Sequence, residues 1–416
     1  MDPQTLAAVL DPEVYRLLDE LEYSRADELA LAGRLRKAGL SAQAATAVLA
    51  QAQLRQEAEG KFGPFAADML FTRTGLEQAT RLPVAAHHAA RMTAGSPELI
   101  ADLGCGIGAD VLAFGGLGAQ VEARDADEVT AAVAAFNLRH LDTVTVTHGL
   151  AEDYDLSRAA ALWLDPARRD TASGRASGAS RLNDPEAFSP SLSWAFAAAE
   201  QVAGTGIKLG PALDHGLVPA GWEAQWVSHE GEVVEVALYH GSVCQRPGRG
   251  ALIMRGGGTL AVHESEVPAE DEEGIGELGE YLFEPDGAIV RAGLVRALCG
   301  PLAVRRVSAP IAYLTGDVLP AGAAARAVRA WRITDVLPAG IKPLRRALVE
   351  RNISRVVIKK RGADIVPDRV RRQLKLPGGG ASATLVFTRI GEKHAVLLTE
   401  PVDLDASQPA PAAVPD

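Results

Sequence analysis

The run Asp102-Leu103-Gly104-Cys105-Gly106-Ile107-Gly108 sets three glycines at alternate positions directly behind a short apolar stretch. The stretch predicts a strand, and the residues after Gly108 predict a helix. The glycines then form the turn between them, where bare backbone lets a ligand come close and a helix start offers unpaired N–H groups. Asp102 closes the strand, and Asp125, followed by Ala126, closes the next one. A carboxylate beside a cationic amino-acid group and a second one accepting both hydroxyls of a ribose suit S-adenosylmethionine. The glycine spacing alone leaves a dinucleotide open, because Gly104-x-Gly106-x-x-Ala109 with Asp125 about 20 residues on also satisfies that fingerprint. Asp102 favours the sulfonium cofactor, since a pyrophosphate turn has no use for a carboxylate so near. After the third expected strand comes His148-Gly149-Leu150-Ala151-Glu152-Asp153. Leu150 stands where an acid often meets adenine, so the Ala151 backbone or Glu152 is expected there instead.

A second chemical block, Trp163-Leu164-Asp165-Pro166-Ala167-Arg168-Arg169-Asp170, ends the fourth expected strand, at the edge where ligands bind in parallel α/β sheets. Pro166 fixes an extended turn that aims Asp165 into the crevice. Arg168 and Arg169 form either a structural ion-paired couple or a grip for an anionic substrate such as RNA. Asp165 is the candidate for positioning an acceptor or taking its proton. The block is similar to the Asp-Pro-Pro-aromatic motif of base amino-methyltransferases, but Ala167 and Arg168 replace the second proline and the ring that stacks on a flipped base. Cys105 is expected to be a packing residue, and neither Cys244 nor Cys299 lies in a turn suited to a nucleophile. Gln78 and Thr80, just ahead of the first strand, line the pocket or cap the following helix. His87 and His88 are expected to pack or be solvated.

Short apolar runs at 99–103, 120–124, 143–147, 161–164 and 201–209 alternate with helical stretches, the pattern of a parallel sheet covered on both faces. Runs at 222–228 and 233–239, joined by His229-Glu230-Gly231-Glu232, predict an antiparallel hairpin at its edge. The division expected is a helical region over 1–60, a cofactor domain over 61–241, a further domain over 242–402 and a disordered Pro/Ala-rich tail over 403–416. Residues 171–183, rich in Ser, Gly and Arg, predict a mobile loop.

Three cysteines without metal-ligand spacing argue against a disulfide framework or a zinc site and for a reducing, cytoplasmic setting. Neither a signal peptide nor a membrane span is visible in the pattern. The net charge of −11 means that a nucleic-acid partner needs a local basic surface, and residues 332–375 supply thirteen Lys and Arg against four acids, a local +9.

With these blocks in hand, the chain resembles the bacterial class I methyltransferases that carry a C-terminal THUMP-like domain. The resemblance rests on Leu76-Glu77-Gln78-Ala79-Thr80, the glycine turn, Asp165 to Arg169, Glu280-Tyr281-Leu282-Phe283-Glu284-Pro285-Asp286-Gly287-Ala288 and Ile358-Lys359-Lys360-Arg361-Gly362, and it covers about residues 61–398. It implies a Rossmann-like seven-stranded sheet with an antiparallel edge hairpin, then an α+β THUMP-like domain. It implies S-adenosylmethionine as cofactor and, because THUMP domains proper grip structured RNA, a tRNA or rRNA substrate. Lys359, Lys360, Arg361, Arg371 and Arg372 are the cations expected to track its phosphates. A small-molecule methyltransferase, or a cofactor- and RNA-binding protein without turnover, are the alternatives.

Overall fold

The computed structural model describes residues 1–168, 186, 188–268, 275–391 and 393–404. The loop expected over 171–183 and the tail from 405 lie outside the described residues. The chain divides into two compact units, Met1–Glu223 with Ala237–Pro247, and Ala224–Val236 with Gly248–Asp416.

The first unit opens with four helices, α1 (Pro3–Leu10), α2 (Pro12–Asp19), α3 (Glu28–Lys37) and α4 (Ala42–Phe62). Asp2, Asp11 and Ser41 cap three of them, each accepting a first-turn N–H, and a proline opens α1 and α2. Leu6, Val9, Leu18, Leu31 and Leu35 pack on an α4 face built from Ala45, Val48, Ala52 and Phe62. Alanines there let helices approach closely. Two helices, α5 (Arg73–Gln78) and α6 (Leu82–Met92), lead into the sheet.

The sheet elements follow in alternation: β1 (Ile100–Leu103), α7 (Ala109–Gly116), β2 (Val121–Asp125), α8 (Glu128–Asn137), β3 (Val144–His148) and β4 (Ala161–Leu164). A two-residue pair, β5 (Ala167–Arg168) and β6 (Phe188–Ser189), precedes α9 (Leu192–Ala199) and β7 (Gly204–Leu209). Then come β8 (Glu223–His229), β9 (Glu232–Gly241), β10 (Gly248–Arg255) and β11 (Gly258–His263), of which residues 224–236, β10 and β11 fall within the second unit. The strand order is β11-β10-β8-β9-β7-β4-β1-β2-β3, with β1 to β4 and β7 parallel where they pair. All seven expected strands are present in the class I arrangement. The sheet does not end at the expected hairpin, however: β10 and β11 extend it to nine strands, so the outer backbone edge of β8 is paired instead of open to solvent. Trp163 is fully buried in the first unit's core, in ring contact with His88, Phe114 and Tyr239.

The second unit carries a seven-stranded sheet, made of β12 (Tyr281–Pro285), β13 (Arg305–Ser308), β14 (Ile311–Gly316), β15 (Val328–Leu337), β16 (Ile353–Lys360), β17 (Ala381–Ile390) and β18 (Lys393–Val402). Its order is β13-β14-β12-β15-β18-β17-β16. A short helix, α10 (Gly287–Ala292), follows β12, and two longer ones, α11 (Ile341–Glu350) and α12 (Pro367–Leu374), flank β16 in the chain. Leu344 and Leu348 of α11 and Val370 and Leu374 of α12 share one core with Val356, Ile358, Leu385 and Phe387. Among the described residues no helix is long and apolar enough to cross a membrane.

Candidate active site

All four residues of β1 are buried, and the strand pairs with β2 on one side and β4 on the other, so its carboxyl end is held rigidly. Asp102 is only 1% exposed, and its Oδ1 has no hydrogen-bond partner among the described residues. Burial, reinforced by Asp110 and Asp165, pushes its carboxyl pKa well above the ordinary range. An acceptor this costly to leave alone calls for a donor. A ligand's ammonium group would supply the hydrogen bond and the opposing charge at once.

The glycine turn is pinned from β2. Gly104 and Cys105 N–H both donate to the Arg124 carbonyl, at 2.8 and 3.1 Å. Gly106 N–H donates to Asp125 Oδ2 at 2.9 Å, and Asp127 N–H to Oδ1 at 2.9 Å. Burial outweighs these two bonds and raises the Asp125 pKa. At Gly104, with φ of +99°, a side-chain carbon would lie 2.9 Å from the Asp165 carbonyl oxygen, so the turn after β4 rests on bare backbone. At Gly106, φ is +55° and a side-chain carbon would meet nothing within 4 Å, which leaves clear space over the turn. Burial drives the Cys105 thiol far above its usual pKa, with Asp102 and Asp125 adding to the effect, so it packs and does not attack.

Ala126 and Glu152 are exposed and Ala151 is buried. His148 Nε2 lies 3.2 Å from the Ala126 carbonyl, which brings the ends of β2 and β3 together. Leu150 is 49% exposed, an apolar surface in place of the acid.

Around Asp165 the fold assembles groups that lie far apart in sequence. Lys208 Nζ is 2.6 Å from Asp165 Oδ2 and 3.8 Å from Asp110 Oδ2. It also donates to Thr80 Oγ1 at 2.9 Å, and that hydroxyl donates to Asp110 Oδ2 at 2.7 Å. His88 Nδ1 is 2.8 Å from Asp110 Oδ1. Burial raises the Asp110 pKa, but Lys208 and the His88 hydrogen bond overcome it and hold the carboxyl at about 2. Thr80 is thus part of a buried polar chain, whereas Gln78 is exposed at the end of α5. Sequence reasoning missed Asp110 and Lys208, and read His88 as a packing or solvated residue without its link to Asp110. The available signal was a lone charge inside otherwise apolar segments, at Lys208 in Gly204–Leu209 and at Asp110 in Ala109–Gly116. Arg168 ends β5, Pro166 is buried, and Arg169 lies outside the described residues.

In the second unit, Lys359 Nζ is 2.6 Å from Glu284 Oε2 and 4.3 Å from the centre of the Trp331 ring. Arg361 is 3.8 Å from Glu284 and lies over Tyr313. Lys360 donates to the Ile365 carbonyl at 2.7 Å, and Arg371 pairs with Asp368 at 2.6 Å. Of the five expected phosphate contacts, four are therefore engaged within the protein. Arg372 is exposed without an ion pair among the described residues, as are Lys342, Arg345, Arg369 and Lys375.

A parallel sheet in this strand order, with a glycine turn behind β1 and acids closing β1 and β2, defines the class I methyltransferase fold. The chain is 30% identical, over 81% of its length and 91% of theirs, to uncharacterised S-adenosylmethionine-dependent methyltransferases of two Mycobacterium tuberculosis strains, CDC 1551 and H37Rv. It belongs to that methyltransferase family, and S-adenosylmethionine is its cofactor. The fold is shared with a crystal structure of a candidate methyltransferase from Porphyromonas gingivalis W83, with a TM-score of 0.69 at 19% identity, covering 91% of this chain and 99% of that one. Residues 328–401 match a family described as THUMP domain-like, and residues 2–58 match a domain of unknown function, DUF8688.

Proposed function

We propose that this methyltransferase acts on RNA, tRNA or rRNA, which its C-terminal domain (242–402) grips by the phosphate backbone while the domain over 61–241 carries out transfer. The observation behind this reading is the outward side of α11 and α12. Leu344, Leu348, Val370 and Leu374 are spent on one core, and Lys342, Arg345, Arg369, Arg372 and Lys375 are left exposed without ion pairs among the described residues. Cations held this way on two helices suit a polyanion read by shape and charge. Lys359, Lys360, Arg361 and Arg371 then serve mainly to build the domain.

On the same reading, Asp102 accepts from the amino group of the donor and Gly104, Gly106 and Gly108 let its amino-acid part lie on the backbone. Asp125 accepts the ribose hydroxyls, and Ala126, Ala151 and Glu152 border the base. The cofactor supplies a methyl group already activated by the sulfonium. The protein's own task is alignment: Asp165, its turn fixed by Pro166, orients the acceptor and takes its proton where one is lost, and Arg168 and Arg169, next in the sequence, are assigned to grip an anionic acceptor. Lys208 holds the Asp165 carboxylate in place.

Incubation with radiolabelled cofactor and total cellular RNA tests the proposal. Label is expected in RNA, with an Asp165→Ala chain slower by about 10²-fold or more. Label that enters only small metabolites, or stays on the donor, removes RNA from the account.

A further inference from the structure

Residues 69–80 lie between the N-terminal helices and the glycine turn, and polar groups hold them from both sides. From α4, Gln51 donates to the Phe71 carbonyl at 2.7 Å and accepts from Phe71 N–H at 3.0 Å. Arg55 donates to the Met69 carbonyl at 2.9 Å. Lys61 spends its ammonium on three carbonyls at the end of α5, those of Leu76, Glu77 and Ala79, at 2.7 to 2.9 Å. From the cofactor side, Asn137 of α8 holds Leu70 N–H and carbonyl and also donates to the Ile107 carbonyl at 3.0 Å, so one amide joins the segment to the turn. Ile107 packs so tightly on α5 that a side-chain carbon at Gly75 would fall 2.4 Å from its Cγ2. Thr80 completes the attachment through Asp110 at the start of α7.

We infer that the N-terminal helical region is a positioning element of the donor site: α4, through Gln51, Arg55 and Lys61, holds residues 69–80 as a splint against the 104–108 turn and so sets the turn's affinity for the cofactor. This gives a role to residues 2–58, which match a domain of unknown function. A buried glutamine and arginine, each paired with backbone of a distant segment, cost more to bury than apolar residues and earn their place by fixing that backbone. The hydrogen bonds from β2 hold Gly104, Cys105 and Gly106, and the splint secures Ile107 beyond them, where the glycines on either side restrict the backbone little.

The inference rests on the turn being the donor site, and S-adenosylhomocysteine calorimetry on the full chain separates the two claims. Asp125→Ala should lose affinity; normal binding by that variant overturns the donor site and the splint with it. Given that loss, Lys61→Met and Gln51→Leu should each bind at least about tenfold more weakly while still folded by near-ultraviolet circular dichroism. Unchanged affinity in both overturns the splint alone. The unmodified chain decides if the variants do not fold: S-adenosylhomocysteine should slow amide exchange across 69–80 as well as in the turn, and slowing in the turn alone rejects the inference.

Discussion

Lys208 carries an ammonium group into a strand whose six residues are all buried, and it is tolerated because Asp165, Asp110 and the Thr80 hydroxyl surround it. Removing one member of such a set leaves charges buried without compensation, at a cost of about 3–5 kcal/mol. Lys208→Met should therefore be destabilised by that order at pH 7. The loss should shrink at pH 5 and below, as the stranded carboxyls take up protons. In the unmodified chain two buried acids, Asp110 beside Lys208 and Asp102 at the end of β1, act oppositely. Asp110, held at about 2, gives stability that is complete above its unfolded value of 3.8 and is lost as pH falls through about 2. Asp102, pushed up, costs stability at neutral pH and returns it as pH falls through its raised pKa. Urea titrations of both chains at several pH values check this, and a penalty for Lys208→Met that does not change with pH would show that packing, not charge, is lost. The residues at the turns were legible because glycine and aspartate beside a strand end have few structural uses. Thr80, His88, Asp110, Asp165 and Lys208 were not legible as a group, because they sit on separate parts of the chain and only the finished sheet brings them together.

Among the elements, the turn between β1 and α7 makes two different demands on its glycines. At Gly104 the demand is steric, since the Asp165 carbonyl occupies the place of a side chain. At Gly106 it is only conformational, with a left-handed φ costing roughly 1 kcal/mol in a residue other than glycine. Gly104→Ala should thus shift the turn after β4, with a lower melting temperature and weaker donor binding. Gly106→Ala should fold nearly normally yet bind S-adenosylhomocysteine poorly, because its methyl group enters the clear space over the turn. Equal thermal losses in the two chains would contradict this division. Strand positions were readable wherever a short apolar run was bounded by turn residues, and 161–164 falls on the observed β4. Strand β7 starts three residues later than its apolar run, because α9 ends at Ala199 and the chain needs the intervening residues to turn. The second hairpin, β10 with β11, was legible as a hairpin-like stretch around Gly256-Gly257-Gly258, the glycines of the bend that joins its strands, but its pairing onto β8 was not, because no local pattern says which edge a hairpin joins.

For the molecule as a whole, charge is segregated along the chain: −11 in total, with +9 over residues 332–375, so the remainder carries −20. A polyanion is repelled by most of this chain and attracted by one portion of it, an arrangement that orients an encounter and makes it sensitive to salt. If RNA is held by the five exposed cations of α11, α12 and their flanks, the logarithm of affinity should fall against the logarithm of salt with a slope of roughly −3 to −5. Neutralising Lys342, Arg345 and Arg369 to Gln should reduce the magnitude of that slope by about 2–3 and weaken binding to every RNA alike. Lys359→Gln should behave differently. It leaves Glu284 without its nearest cation and uncovers the Trp331 ring, so stability should drop while the slope stays where it was. Filter binding of total tRNA at several salt concentrations measures both effects. A slope that follows Lys359 and ignores the helix cations would move the RNA surface to the face of the sheet that carries Trp331. A slope that none of these substitutions alters would remove the domain from RNA binding.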